Sequence, residues 1–263
     1  MRCDNKGDIV HKTRTRRRRV ISVNSRKPVY RRILLKLSGE ALAGAEGRGL
    51  DVQICRTIAA EIVEAHTMGV QIGIVIGGGN IIRGASVNAI PRMTADTMGM
   101  LATVINSLAL KEIIKEKGCR CRVLTAVAIE GAGEYFCGMQ AREYLEQGEI
   151  VIIAGGTGSP FFTTDTAAAL RAAEIGAEAL LKATKVDGIY DCDPMNNPTA
   201  KKFSQLSYAE AISRKLGVMD ATAFSFCMEN KIPIIVFKLA ESGNLRKCLE
   251  GGRVGSIITA GGA

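Results

Sequence analysis

The sequence predicts an α/β fold, a mostly parallel sheet sandwiched by helices. Two observations carry this expectation. Short apolar, β-rich runs alternate with helix-periodic segments from residue 32 onward, and those runs are apolar on both faces, as strands are when crossover helices cover both sides of a sheet. A chain of 263 residues with 47% hydrophobic side chains has ample material for such a core.

The order opens with a strand at RILLKLSG. In DVQICRTIAAEIVEAHTMG, Ile54, Ile58 and Ile62 recur every four residues, the spacing of one helical face, and Gly69 closes the helix. A strand at VQIGIVI, a long helix at MTADTMGMLATVINSLALKEIIKEKG ending at Gly118, a strand at CRVLTAV, a helix at MQAREYLEQG and a strand at EIVIIAGG continue the rhythm. The second half gives a helix at DTAAALRAAEIG and a strand at EALLKAT. A turn-rich piece, KVDGIYDCDPMNNPTAKKF, precedes helices near SYAEAISRKLG and ATAFSFCMENK and strands at IPIIVF and GSIIT. Open parallel sheets bind ligands at the carboxyl ends of their strands, so the loops after these strands are where site residues are expected.

Composition excludes several classes of chemistry. The two histidines, His11 and His66, leave almost no room for His-based acid–base catalysis, a Ser/His/Asp triad or a His-ligated metal. The eight cysteines include no CxxC pair and are expected to be reduced, mostly buried thiols. No run of about 18 wholly apolar residues occurs, and the N-terminus lacks the apolar core of a secretory signal. A soluble, cytoplasmic protein with no membrane partner is therefore expected. The net charge of +9 sits at one end: residues 1–27 hold ten Lys or Arg against two Asp, leaving 25 basic and 24 acidic side chains in residues 28–263. RTRRRRV shows no apolar periodicity, so residues 1–27 read as a disordered basic arm and residues 28–263 as the folded domain. The arm is expected to be a solvated extension, with nucleic-acid contact and organelle targeting as the alternatives.

Three loops carry candidate chemistry. In GIVIGGGNIIRG a buried strand runs into Gly77, Gly78 and Gly79, with Arg83 downstream. A GxGxxG fingerprint from Gly77 would need glycine where Ile82 sits, and no GK dipeptide exists for a Walker loop, so neither familiar nucleotide signature applies. Glycine amides and an arginine fork can still hold an anion. Lys36 is a charged residue inside the otherwise apolar run of the first strand, readable as a snorkelling side chain or, with Ser38 and Gly39 beside it, as a phosphate ligand. AGGTGSPFFTTDTAAAL supplies Gly155, Thr157, Gly158 and Ser159, then Thr163, Thr164 and Asp165 at a helix start, where Asp165 could be only a cap. By residue type Phe161 and Phe162 read as packing rather than base stacking. Lys36, Arg83 and Lys182 are the cations these loops gather.

KLSGEAL, VIGGGNIIRG, TADTMGMLATVIN, GTGSPFFTTDTAA, LKATKVDGIYDCDP and GVMDATAF, in this order between about Tyr30 and Thr259, resemble the bacterial-type uridylate (UMP) kinase family, of the amino acid kinase fold. The resemblance implies transfer of the ATP γ-phosphate to UMP, giving UDP and ADP in pyrimidine nucleotide biosynthesis. It implies ATP contacts at Lys36, Leu37, Ser38, Gly39, Gly79, Arg83, Thr184, Tyr190 and Asp193. It implies UMP contacts at Gly78, Asp96, Thr157, Gly158, Ser159, Pro160, Phe161, Phe162, Thr163 and Thr164. Lys36, Arg83, Asp165 and Lys182 become the catalytic candidates, Asp165 as organiser of the basic groups. Mg²⁺ with ATP, a homohexamer, GTP activation and UTP inhibition are further implications. The alternatives are a kinase of the same fold acting on a carboxylate, carbamate or isopentenyl phosphate, and a non-catalytic nucleotide sensor or nucleic-acid binder using the basic arm.

Overall fold

In the computed structural model the described residues are 27–44, 46–82 and 89–261. The basic arm up to residue 26, and Arg83, lie outside them. The first half runs β1 (Arg32–Leu37), α1 (Val52–Thr67), β2 (Gln71–Ile76), α2 (Arg92–Glu116), β3 (Cys121–Thr125), β4 (Glu134–Tyr135), α3 (Gly138–Glu146) and β5 (Ile150–Ala154). The second half runs α4 (Thr164–Ile175), β6 (Ala179–Thr184), β7 (Ile189–Tyr190), β8 (Lys202–Phe203), β9 (Gln205–Ser207), α5 (Tyr208–Ser213), α6 (Ala221–Glu229), β10 (Ile234–Lys238), α7 (Asn244–Leu249) and β11 (Ser256–Thr259).

Nine strands form one sheet in the order β4-β3-β5-β2-β1-β6-β10-β11-β9, and every neighbouring pair is parallel except β10 with β11. β7 and β8 make a separate antiparallel ribbon inside the turn-rich piece. Alternation along β1 sends Ile33, Leu35 and Leu37 to the face covered by α1, α2 and α7, and Leu34 to the face covered by α3, α4, α5 and α6. Lys36 shares the face of Leu34. The chain leaves β1 for β2 on one side and returns to β6 on the other, so the carboxyl end of β1 is a topological switch point.

Two helices set the site. Ala167, Ala168, Ala169 and Ala172 are fully buried on α4, and this small-residue surface lets the helix lie close to β1 and β2. At its far end, a Cβ on Gly73 would lie 2.5 Å from Ile175. α2 is long and apolar enough to cross a membrane by length and composition. Its buried polar residues Thr103 and Asn106 instead hydrogen-bond to the loops after β5 and β2, the placement of a core helix.

Candidate active site

Lys36 and Lys182 stand opposite each other in the parallel register of β1 and β6, each 8% exposed. Two buried ammonium groups side by side need an anion between them. Asp165, in the first turn of α4, supplies it: Oδ1 lies 3.0 Å from Lys36 Nζ and Oδ2 lies 2.8 Å from Lys182 Nζ. Burial alone would raise the Asp165 pKa, but the two lysines outweigh it and hold the carboxyl below its usual range. Burial, then the facing Lys36, pushes the Lys182 ammonium down. One carboxylate between two ammonium groups leaves a net charge of +1. Lys182 also donates to the Val218 carbonyl.

Asp165 is not the helix cap. That role belongs to Thr163, whose Oγ1 accepts the amides of Asp165 and Thr166 at 3.1 and 3.2 Å. Thr163 spends its own proton on Asp220, which also accepts from Thr166 Oγ1 at 3.0 Å and caps α6 through the Ala223 amide at 2.7 Å. The Val218–Asp220 stretch thus ties α6 both to Lys182 and to the start of α4.

The glycine loops pack on one another. A Cβ on Gly39 would lie 2.5 Å from Asn80 Oδ1, 2.6 Å from the Gly77 carbonyl and 2.7 Å from the Gly79 nitrogen, and a Cβ on Gly78 would lie 2.7 Å from the Gly99 carbonyl. Close approach of backbone to backbone therefore accounts for Gly39 and Gly78 before any ligand is considered. A Cβ on Gly79 would meet only the Glu40 side chain, at 4.0 Å, an ordinary contact. Asn80 and Asn106, both buried, exchange amide hydrogen bonds of 3.0 and 2.8 Å, and Asn106 also donates to the Gly77 carbonyl at 2.7 Å.

Two clefts flank the lysine pair. One, of about 280 Å³, lies over β2 and β5 and is lined by Gly78, Gly79, Asp96, Gly156, Thr157, Ser159, Phe162, Thr163 and Thr164, among others. The other, of about 470 Å³, lies over β6 and is lined by Lys182, Thr184, Tyr190 and Asp193 together with Gly217 and Val218. A wider cleft of about 520 Å³, beside Tyr30 and Cys248, contains none of the predicted site residues. Asp96 accepts the Phe161 amide at 2.8 Å and pairs with Arg92 at 2.9 Å, so its carboxylate already shapes the loop. Phe161 takes φ 74°, a strained conformation for an aromatic residue. Phe161 and Phe162 are 63% and 54% exposed, which corrects the expectation that they pack: a left-handed residue in a glycine-rich loop turns both rings outward. Gly158 sits against Ala126, and its Cβ would meet that carbonyl at 2.9 Å; with Pro160 and Phe161 it stays off the cleft wall. In the larger cleft the Tyr190 hydroxyl donates to Asp187 at 2.6 Å, and Asp193 accepts from Met195 and Asn196 within its own turn. The Leu37 side chain is buried in the core on the opposite face, leaving only its backbone near the site. The Ser38 hydroxyl caps the turn at Gly39–Leu42.

A profile of the amino acid kinase family matches residues 31–238. The chain belongs to the amino acid kinase family. Among its relatives, a uridylate kinase of Bacteroides thetaiotaomicron is 53% identical over 231 residues, 87% of this chain and 98% of that protein. Among solved structures, UMP kinase from Bacillus anthracis superposes with a TM-score of 0.86 at 37% identity, covering 89% of this chain and 97% of that one. UMP kinase from Ureaplasma parvum gives 0.82 at 33% identity, covering 87% and 98%. This amino acid kinase also uses residues that sequence reasoning passed over: Asn80, Asn106, Thr103, Arg171 and Asp220. Thr103, Asn106 and Arg171 are polar residues inside helices, Asn80 sits in a turn and Asp220 caps α6; only the fold shows which loop each reaches.

Proposed function

We propose that this amino acid kinase is a UMP kinase, transferring the γ-phosphoryl group of ATP to UMP to give UDP and ADP. The observation that carries the reading is the Lys36–Asp165–Lys182 group, with its net positive charge, at the midline between two clefts on the carboxyl edge of the sheet. UMP is assigned to the cleft of Gly78, Asp96, Thr157, Ser159, Phe162, Thr163 and Thr164. ATP is assigned to the cleft of Thr184, Tyr190 and Asp193, with its phosphates reaching Lys36, Ser38, Gly39, Gly79 and Arg83.

The acceptor is a phosphate monoester with a second pKa near about 6, so at neutral pH it is already a nucleophile and needs no general base. What remains is to align two anions that repel each other and to neutralise charge as the phosphoryl group moves. Asp165 holds both lysines at fixed positions, so the cations need not reorganise at the moment of transfer. The Gly79 loop amide adds a donor for the phosphates. Mg²⁺, bound with ATP, supplies further charge neutralisation across the phosphates. Among the described residues no group of three or more His, Cys, Asp or Glu is placed to hold a metal ion.

A homohexameric assembly, GTP activation, UTP inhibition and a cytoplasmic location belong to the same proposal. Leu101 and Ile105, exposed four residues apart on α2, support self-association through that helix. The test is ADP release from ATP and Mg²⁺ against a panel of UMP, CMP, dTMP, glutamate and carbamate. UMP is expected to give by far the highest kcat/KM; turnover with another acceptor and none with UMP overturns the assignment.

A further inference from the structure

The loop after β5 needs an outside hold to keep one shape. Gly155, Gly156 and Gly158 have φ of 80°, 61° and 84°, and a run of such glycines loses much conformational freedom when fixed. Two helices grip it. Thr103 Oγ1 of α2 accepts the Gly155 amide at 2.7 Å, and Arg171 Nη2 of α4 donates to the Gly156 carbonyl at 3.1 Å.

Arg171 is an unusual residue for its place. It is 5% exposed on a helix whose buried neighbours Ala168, Ala169 and Ala172 are small and apolar. Its guanidinium carbon lies 4.2 Å from the centroid of the Phe136 ring, and Nη1 donates to Glu174 at 2.6 Å. The plane of the fork is thereby fixed from one side by the ring and from another by the carboxylate. The Glu174 side chain is 35% exposed, and an ion pair open to solvent adds little stability, so the buried guanidinium calls for another reason.

The peptide geometry supplies one. In a trans peptide the carbonyl and the following amide point in opposite directions. With the Gly156 carbonyl turned to Arg171, the Thr157 N–H is turned away from α4, and both Gly156 and Thr157 line the cleft assigned to the acceptor. We propose that Arg171 is a positioning residue that holds the Gly156–Thr157 peptide so that the Thr157 amide faces the acceptor nucleotide. The inference rests on the UMP kinase reading and deepens it: acceptor affinity depends on a side chain that touches neither substrate.

Full-length wild type, Arg171→Met and Arg171→Lys are compared for KM of UMP, KM of ATP, kcat and melting temperature. Losing a charge-assisted hydrogen bond that orients a ligand donor is expected to raise the UMP KM roughly tenfold in Arg171→Met, with the ATP KM within about twofold of wild type. Arg171→Lys keeps a cation but loses the planar contact with Phe136, and a rise of about threefold is expected. An unchanged UMP KM in both variants, or UMP and ATP KM rising together, overturns the inference. Should Arg171→Met fail to fold, Arg171→Lys decides by the same criteria. Wild type inactive on UMP overturns the underlying reading and the inference with it, whereas active wild type with unaffected variants overturns the inference alone.

Discussion

Lys36 and Lys182 occupy matched positions on adjacent strands, an arrangement that repels until Asp165 is placed between them. The sequence prepares half of this. Lys36 is conspicuous as a charge inside an apolar run, whereas the bridging role of Asp165 depends on a register and a helix position that no local pattern encodes. One carboxylate between the two lysines removes part of their repulsion. Lys36→Met separates catalysis from stability. Asp165 keeps Lys182 as partner, Met keeps most of the apolar stem volume, and the local charge falls from +1 to zero, so the melting temperature of ligand-free protein should move by no more than about 3 °C. Turnover at saturating UMP and ATP should fall on the order of 10³-fold. Near-normal turnover, or activity lost only in step with melting temperature, would assign Lys36 to structure instead.

At the scale of elements, the long periodic segments are readable, as are the short α5 and β11, and several other short ones are not. The sequence expects α1, α2, α4 and the buried strands β1, β2, β5 and β6 because their apolar patterns run for several residues. α7 is six residues long, and β4, β7, β8 and β9 are two or three, too short for a period to register. The interior of α2 hides the least legible feature. Asn106 looks like a mild helix defect in sequence, yet it completes an amide pair with Asn80 and holds the Gly77 carbonyl. Replacing it with alanine strands Asn80 Oδ1 and that carbonyl, while Asn80 Nδ2 keeps the Gly49 carbonyl at 2.7 Å, and buried polar groups without partners cost about 1–3 kcal/mol each. Asn106→Ala should therefore lose about 3 kcal/mol in urea unfolding, with an unchanged m-value. A loss below about 0.5 kcal/mol would mean that the pair is not what fixes the loop after β2.

For the whole molecule, charge is divided between an arm and a nearly neutral body. Residues 28–263 carry 25 basic against 24 acidic side chains, and their entry is anchored at once: the Val29 amide donates to the Leu249 carbonyl at 2.8 Å, beside α7. A chain beginning at Pro28 keeps that bond, so its melting temperature should stay within about 2 °C of the full chain and its kcat within about twofold. Insoluble protein or a tenfold fall in turnover would assign the arm a part in the folded enzyme. The interlocked glycine loops tie two strand ends together. Because any side chain at position 39 would meet the backbone at 77 and 79 together with Asn80, a substitution there has to shift the neighbouring loop. The two loops therefore keep their shape jointly, and redrawing one redraws the other.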